Sequence, residues 1–406
     1  MAHIKPYKAL RPVQDLAVKV ASKPYDVLTS SEAKKETANN PYAFLHITKA
    51  EIDLPDNLDT HTKEVYLKAK ENLQHFIANK ILFVENKPCY YIYELIMNGR
   101  SQTGLVCLSS VKDYQQNCIK KHELTRPEKE KDRIDHILAT MAQTGKVFLT
   151  YKEEPEIDQI LQQWKNNHIP EYDFLADDYV QHIVWIINDD AVIETITLAF
   201  EQKVPATYIA DGHHRAASAV KLSAQFPHLT NAQYFLTVLF PSDQLSIIDY
   251  NRLIKDLNGH SEAYFLALLS EKFEVSKSTS PVKPVQMHEF GLYLNQQWYR
   301  LSSKPNTFSN DPIGVLDVTI LTNNILEPIL GIKDQRTDDR IDFVGGIRGL
   351  EELKERVDNG SMQLAFSLFP VSKEQLFAVA DSNQIMPPKS TWFEPKLRDG
   401  LLTHLL

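Results

Sequence analysis

The chain has 406 residues, of which 43% are hydrophobic and 24% charged; that balance excludes a disordered or fibrous protein and, at roughly 150 residues per domain, predicts two or three domains. Lys and Arg number 44 against 53 Asp and Glu, a net charge of −9, so a non-specific nucleic-acid binder is disfavoured and any anionic ligand has to be met by a local pocket. Glycine is scarce, 13 in 406, which makes a glycine inside a polar cluster more informative than usual.

Along the chain, helical spacing predicts a helix over 62–80 with Val65, Leu67, Leu73, Phe76 and Ile77 on its core face. Strand-like runs follow at 81–85, 89–97 and 105–109. A helix over 126–143, a strand at 146–151 and a helix over 156–167 come next. A strand at 179–187, a helix over 190–202, a strand at 207–210, a helix over 213–226 and a strand at 233–240 complete this part. The tract 276–286, with Pro281 and Pro284 among serines, reads as a linker. Beyond it, 291–294 and 298–301 read as a hairpin, followed by helix 313–330, strand 341–344, helix 349–357, strand 362–369 and helix 373–383. Strands alternating with helices predict an α/β class with α+β elements, divided into an N-terminal region 1–275 and a C-terminal α/β region 287–406.

Residues 1–12 hold no apolar core of signal-peptide length, and no apolar run approaches the ~20 residues of a membrane helix. Cys89, Cys107 and Cys118 cannot all pair and form no C-x-x-C. A cytoplasmic protein with reduced thiols and no membrane partner is therefore expected. Neither common glycine-rich nucleotide loop is present: Gly99 and Gly104 are followed by Leu105-Val106 rather than Lys-Ser/Thr, and Val344-Gly-Gly-Ile-Arg-Gly349 misses G-x-G-x-x-G by one residue.

Three polar clusters carry the chemistry. In Ala210-Asp-Gly-His-His-Arg215 an apolar strand turns abruptly into a helix. A helix start presents backbone N–H groups and partial positive charge, which is an anion site. Asp211 fits an N-cap, a base or a Mg²⁺ ligand, and Gly212 allows the sharp turn and close approach of a ligand. His213, His214 and Arg215 place donors where a phosphate would lie, Arg215 through a planar fork. In His122-Glu-Leu-Thr-Arg-Pro-Glu128, Thr125 with Glu128 fits a capping box and Pro127 a first helical turn, leaving His122 and Glu123 as a base or metal ligand, with Arg126 nearby for a substrate. In Met386-Pro-Pro-Lys-Ser-Thr-Trp-Phe-Glu-Pro-Lys396, Lys389, Ser390 and Thr391 form a compact donor set for a second anionic group.

Together these clusters resemble the bacterial and archaeal domain-of-unknown-function family number 1015, whose recurring segments are similar to Pro24-Tyr-Asp-Val27, Asn40-Pro41, His122-Glu123 with Thr125, residues 210–215 and residues 386–396. Where that family has a His-Arg pair, this chain has Asn251-Arg252 after Tyr250. The Asp-Gly-His-His-Arg segment is also similar to that of ADP-dependent free serine kinases of the ParB/sulfiredoxin-like superfamily. That resemblance implies a ParB/sulfiredoxin-like core with large insertions and a strand-to-helix turn that holds nucleotide phosphates. The implied activity is phosphoryl transfer between ADP or ATP with Mg²⁺ and a small hydroxyl metabolite, serine or phosphoserine, in the kinase or phosphatase direction. Asp211, Glu123, His122 and His214 are then the catalytic candidates, and a homo-oligomer is compatible with the sequence. A metal-dependent hydrolase using His122, Glu123, Asp211, His213 and His214, and a nucleotide-responsive ParB-like regulatory or DNA-binding module, are the alternatives.

Overall fold

The computed structural model describes residues 1–406 as a mixed α/β protein of two compact units. Unit 1 comprises 1–121, 125–245 and 395–406; unit 2 comprises 122–124 and 246–394.

Unit 1 is built on a nine-stranded mixed sheet. Its spatial order is Ile119–Lys120, Thr207–Asp211, Val147–Tyr151, Tyr234–Pro241, Arg100–Ser110, Tyr90–Met97, Gln181–Ile187 and Tyr172–Leu175, with Ile4–Lys5 paired onto Arg100–Ser110. Val147–Tyr151 is buried at every position and runs parallel to Tyr234–Pro241, as strands covered on both faces do. Tyr90–Met97 and Arg100–Ser110 form a hairpin closed by Asn98 and Gly99, both at positive φ (52° and 77°); this two-residue turn matches the twist of its strands. The core under the sheet gathers Leu105, Leu149, Ile187, Phe200, Ile209 and Leu239.

Gly104 lies in the middle of Arg100–Ser110, and a Cβ there would stand 2.7 Å from the Phe240 ring. That ring is fully buried and packs on Phe148 with centroids 4.7 Å apart, so it has nowhere to move. Gly104→Ala is expected to destabilise unit 1 by about 1–3 kcal/mol through overpacking; a shift of the urea midpoint to lower concentration at unchanged slope is the check.

Unit 2 carries a six-stranded, wholly antiparallel sheet in the order Phe273–Ser278, Gln297–Ser303, Glu289–Leu294, Leu364–Leu368, Tyr250–Ile254 and Ile341–Gly345. The expected hairpin is present: Asn295 and Gln296, at φ 48° and 60°, close it between Leu294 and Gln297. A separate two-stranded pairing joins Ile247–Ile248 to Trp392–Phe393.

Several expectations need correction. The division falls at Leu245/Ser246, and the chain returns to unit 1 at Pro395, so 276–286 is not the boundary. Its first residues pair with Gln297–Ser303 and Val282 is fully buried; proline and serine there shape a crossing inside one unit. The helix at 62–80 is Lys63–Ala78, but Leu67 and Ile77 face solvent (51% and 38% exposed) while Tyr66 and Ala69 are buried. The helix predicted over 126–143 is Pro127–Thr140, ended by Met141 in the left-handed region. Residues 313–330 form only a short α-helix, Asp317–Leu321, running into a π turn, Thr322–Leu326. There the Asn324 amide donates to the carbonyls of Thr307 and Ile320, competing with the regular helical ladder.

Candidate functional site

In unit 1 the strand Thr207–Asp211 passes through Gly212 into the helix His213–Gln225. Gly212, not Asp211, is the N-cap, at φ 97°. A side chain at that φ is strained, which is why glycine stands there. Gly212 brings no side-chain oxygen to the first helical turn, so the helix's leading N–H groups are not used by a cap of its own. Asp211 is left at the strand's end, where Lys396 Nζ reaches its Oδ2 at 3.0 Å. The side chains of this pair are 36% and 18% exposed respectively.

Arg215, one turn into the helix, folds back over the turn. Its Nη1 donates to the Lys146 carbonyl and its Nη2 to Asp26 Oδ2 at 3.1 Å. Burial opposes its charge, but Asp26 and Asp211, with Tyr25 and Asp399, outweigh burial and hold the guanidinium more firmly protonated than usual. Tyr25 is sandwiched by cations: the Arg133 guanidinium lies 3.8 Å from its ring centroid and that of Arg215 6.0 Å. Burial, against the fields of Arg133 and Arg215, pushes the Tyr25 hydroxyl up to about 12. Arg133 in turn grips Asp132 at 2.7 Å, and Asp132 accepts from Tyr66 at 2.9 Å. Tyr25, Arg133, Thr144, Gly145 and Arg215 line a cavity within this unit.

Lys146 and Asp399 are both buried in this unit and feel each other's charge without a direct hydrogen bond. Lys146 is completely enclosed and donates to the Arg398 carbonyl at 2.9 Å. Burial lowers its pKa to about 8, Asp399 working the other way. Burial raises Asp399 to about 6 against the pull of Lys146 and Arg215, and its Oδ2 has no hydrogen-bond partner. Arg398 pairs with Asp178 at 2.6 Å. Arg133, Arg215, Lys396 and Arg398 each already face a carboxylate, so an incoming phosphate adds uncompensated negative charge. The carboxylates in reach of solvent are Asp211, Asp26 and Asp178, 36%, 40% and 37% exposed. Their hard oxygens suit a Mg²⁺ ion that keeps several of its waters.

The expected capping box is not formed as drawn. Arg126 is the N-cap of Pro127–Thr140, and Thr125 donates to Glu130 rather than pairing with Glu128. Arg126 nonetheless joins the turn, its backbone N–H donating to His214 Nε2 at 3.0 Å. His213 is buried and His214 partly so. His122, Glu123, Lys389, Ser390 and Thr391 belong to unit 2, whereas Asp211, Gly212, His213, His214, Arg215 and Arg126 belong to unit 1. In unit 2 the His122 carbonyl accepts the Met386 N–H at 2.8 Å, and the Ser390 hydroxyl closes its own turn onto Pro387 O at 2.7 Å. Lys389 is exposed, with backbone φ 58°.

Sequence reasoning missed Asp26, Arg133, Lys146, Lys396 and Asp399. Lys396 closes the 386–396 segment and Asp26 lies inside Pro24-Tyr-Asp-Val27, so a signal for both existed. Nothing local marks Lys146 or Asp399. The three cysteines are free, and burial pushes Cys89 up to about 11 and Cys107 up to about 12. No helix is long and apolar enough to cross a membrane.

Fold and turn together define a mixed α/β protein with a strand-to-helix polar turn on its larger sheet, one strand in from the edge. The chain belongs to the family described as "Protein of unknown function (DUF1015)", which matches residues 4–319. No curated protein matches the chain significantly. Among solved structures, it is similar to a conserved hypothetical protein from Pyrococcus furiosus at 13% identity and TM-score 0.38, covering 74% of this chain and 95% of that one. It is similar to free serine kinase in complex with AMP at 12% identity and TM-score 0.37, covering 73% and 91%. SbnI with a C-terminal truncation, from Staphylococcus aureus, is similar at 11% identity and TM-score 0.35, covering 74% and 87%.

Proposed function

We propose that the turn at 211–215 binds nucleotide phosphates and that the protein transfers a phosphoryl group between ADP or ATP and a small hydroxyl metabolite, serine or phosphoserine by the resemblance of the motif. The observation that carries this reading is the geometry of the turn: a helix opened by left-handed Gly212 without a side-chain cap, with Arg215 folded across it and the Asp211–Lys396 pair at its edge. Phosphoryl transfer asks chiefly for positioned donors and charge. The first-turn N–H groups and Arg215 would hold the transferring phosphoryl oxygens, where fixed donors stabilise developing charge without reorganising. Lys396, by pairing with Asp211, would hold that carboxylate in place to accept the hydroxyl proton or to hold Mg²⁺. Bound Mg²⁺ supplies charge neutralisation on the phosphate oxygens. His214, oriented by the Arg126 N–H, is a second group able to move a proton in unit 1. In unit 2, Glu123 and His122 remain candidates for acid–base work, and Lys389 and Thr391 for anchoring the substrate's own anionic group.

Thermal-shift titration of the whole chain with ADP, ATP, serine and phosphoserine, each with Mg²⁺, tests this directly. A nucleotide at 100 times its Kd should stabilise the protein by about 2.7 kcal/mol. Absence of a shift with every one of the four would sink the proposal.

A further inference from the structure

Arg252 sits in the strand Tyr250–Ile254 of unit 2 and is 1% exposed. Its Nη1 donates to the Tyr250 carbonyl at 2.6 Å, and its Nη2 to the carbonyls of Lys389 at 3.0 Å and Pro388 at 3.3 Å. Its Nε–H is buried and finds no acceptor. No carboxylate pairs with it; Asp249, close in sequence, is spent on the Asn251 amide at 2.6 Å. Burial lowers its pKa to about 10, only Tyr250 acting against this, which still leaves it charged at neutral pH. Carbonyl dipoles solvate a guanidinium but do not neutralise it, and an ion in a low-dielectric interior without a counter-ion is costly. A purely structural tether for the 388–389 carbonyls needs donors, not charge.

A second cation shares an aromatic neighbour with it. The guanidinium lies 4.7 Å from the Phe343 ring centroid and 5.8 Å from that of Tyr250, and Lys389 Nζ is 5.8 Å from the same Tyr250 ring. Trp392 packs edge-on against Tyr250 with centroids 5.1 Å apart. The guanidinium's bonds to the carbonyls of 388 and 389 also fix the backbone where Lys389 takes its left-handed φ, so the buried cation sets the position of the exposed one.

We infer that unit 2 contains an oxyanion seat of its own, in which Arg252 supplies the buried charge and Lys389 the solvent-facing one, for a carboxylate or phosphate group of a small metabolite. This deepens the substrate-binding part of the proposed function, and rests on that reading only for which metabolite carries the oxyanion.

The test is calorimetric titration of the whole chain, without nucleotide, with inorganic phosphate, serine and phosphoserine in separate arms. Arg252→Gln keeps amide donors for the carbonyls and removes the charge. It should lower the affinity for at least one of these compounds tenfold or more, and Lys389→Met should do the same. Loss confined to phosphate and phosphoserine identifies the oxyanion as phosphate; loss confined to serine and phosphoserine identifies it as a carboxylate. Wild-type affinity in both variants, or no binding by the wild type, overturns the seat. Should Arg252→Gln fail to fold, exposed Lys389→Met decides alone. Asp211→Asn serves as the control for the turn in unit 1: if it abolishes the same binding while Arg252→Gln and Lys389→Met do not, the oxyanion sits in unit 1 and the inference is wrong. Absence of phosphoryl transfer by the wild type, with the seat binding as expected, would instead count against the proposed function alone.

Discussion

Replacing Asp211 with asparagine is expected to lower kcat for phosphoryl transfer between nucleotide and serine by about 10²–10⁴-fold, with the protein still folded. The substitution keeps the shape of the side chain and removes the charge that pairs with Lys396 at 3.0 Å and faces Arg215. Because the carboxylate is 36% exposed, the lost ion pair should cost under about 1 kcal/mol of stability. Activity and stability therefore separate at this position, as they would not at a core residue. Turnover assayed in both directions, with circular dichroism on the same sample, gives the answer; an unchanged kcat in a folded variant would remove Asp211 from the chemistry.

The largest stability effect is expected at Lys146. Lys146→Met leaves Asp399 enclosed with only the fields of Arg215 and Arg133 to offset it, and a buried charge left short of its main counter-charge costs about 3–5 kcal/mol. The pH dependence carries a specific signature. Lys146 has a folded pKa of about 8 against an ordinary 10.5, so the unfolded chain binds more protons between those values and wild-type stability should rise with pH across that window. Asp399, raised to about 6 from 3.8, binds more protons when folded, and its contribution is lost as pH climbs from about 4 through 6. In Lys146→Met the rise above pH 8 should vanish, and the loss due to Asp399 should move to higher pH because its cation is gone. The double variant Lys146→Met/Asp399→Asn, which removes both buried charges, should recover most of the stability. Urea midpoints at pH 5, 7 and 9 for the wild type and both variants settle it; a double variant no better than Lys146→Met would refute the pairing.

The strand-to-helix turn could be read from sequence because its signals are local: an apolar run, one glycine, then polar residues leading into helical spacing. The same holds for the hairpin closed at Asn295-Gln296, where asparagine tolerates the positive φ its turn needs. Lys146 and Asp399 could not be read, since nothing within several residues of either says it is buried. Their meeting is decided by the central position of Val147–Tyr151 in the sheet and by the return of residues 395–406 to unit 1. Arg252 was visible as part of Tyr250-Asn251-Arg252, but its want of a carboxylate is a property of three-dimensional packing. The misplaced linker has a similar cause. Proline and serine mark bends equally well inside a unit and between units, whereas the observed division at Leu245/Ser246 falls in a stretch, Ser242-Asp-Gln-Leu-Ser246, with no compositional break.

The chain leaves unit 1 after Leu245 and comes back at Pro395, and this order has a consequence for how the protein is born. Lys146 waits for Arg398, 252 positions later. At roughly 5–20 residues per second of synthesis, that interval is on the order of 10–50 s. Until then the turn lacks Lys396, and the enclosed lysine lacks both its carbonyl acceptor and its counter-ion. Unit 2 is made in full during the wait. The polar turn is therefore assembled last, on a sheet whose strands have long since left the ribosome, and a nascent chain carries the residues of the turn without the partners that complete it.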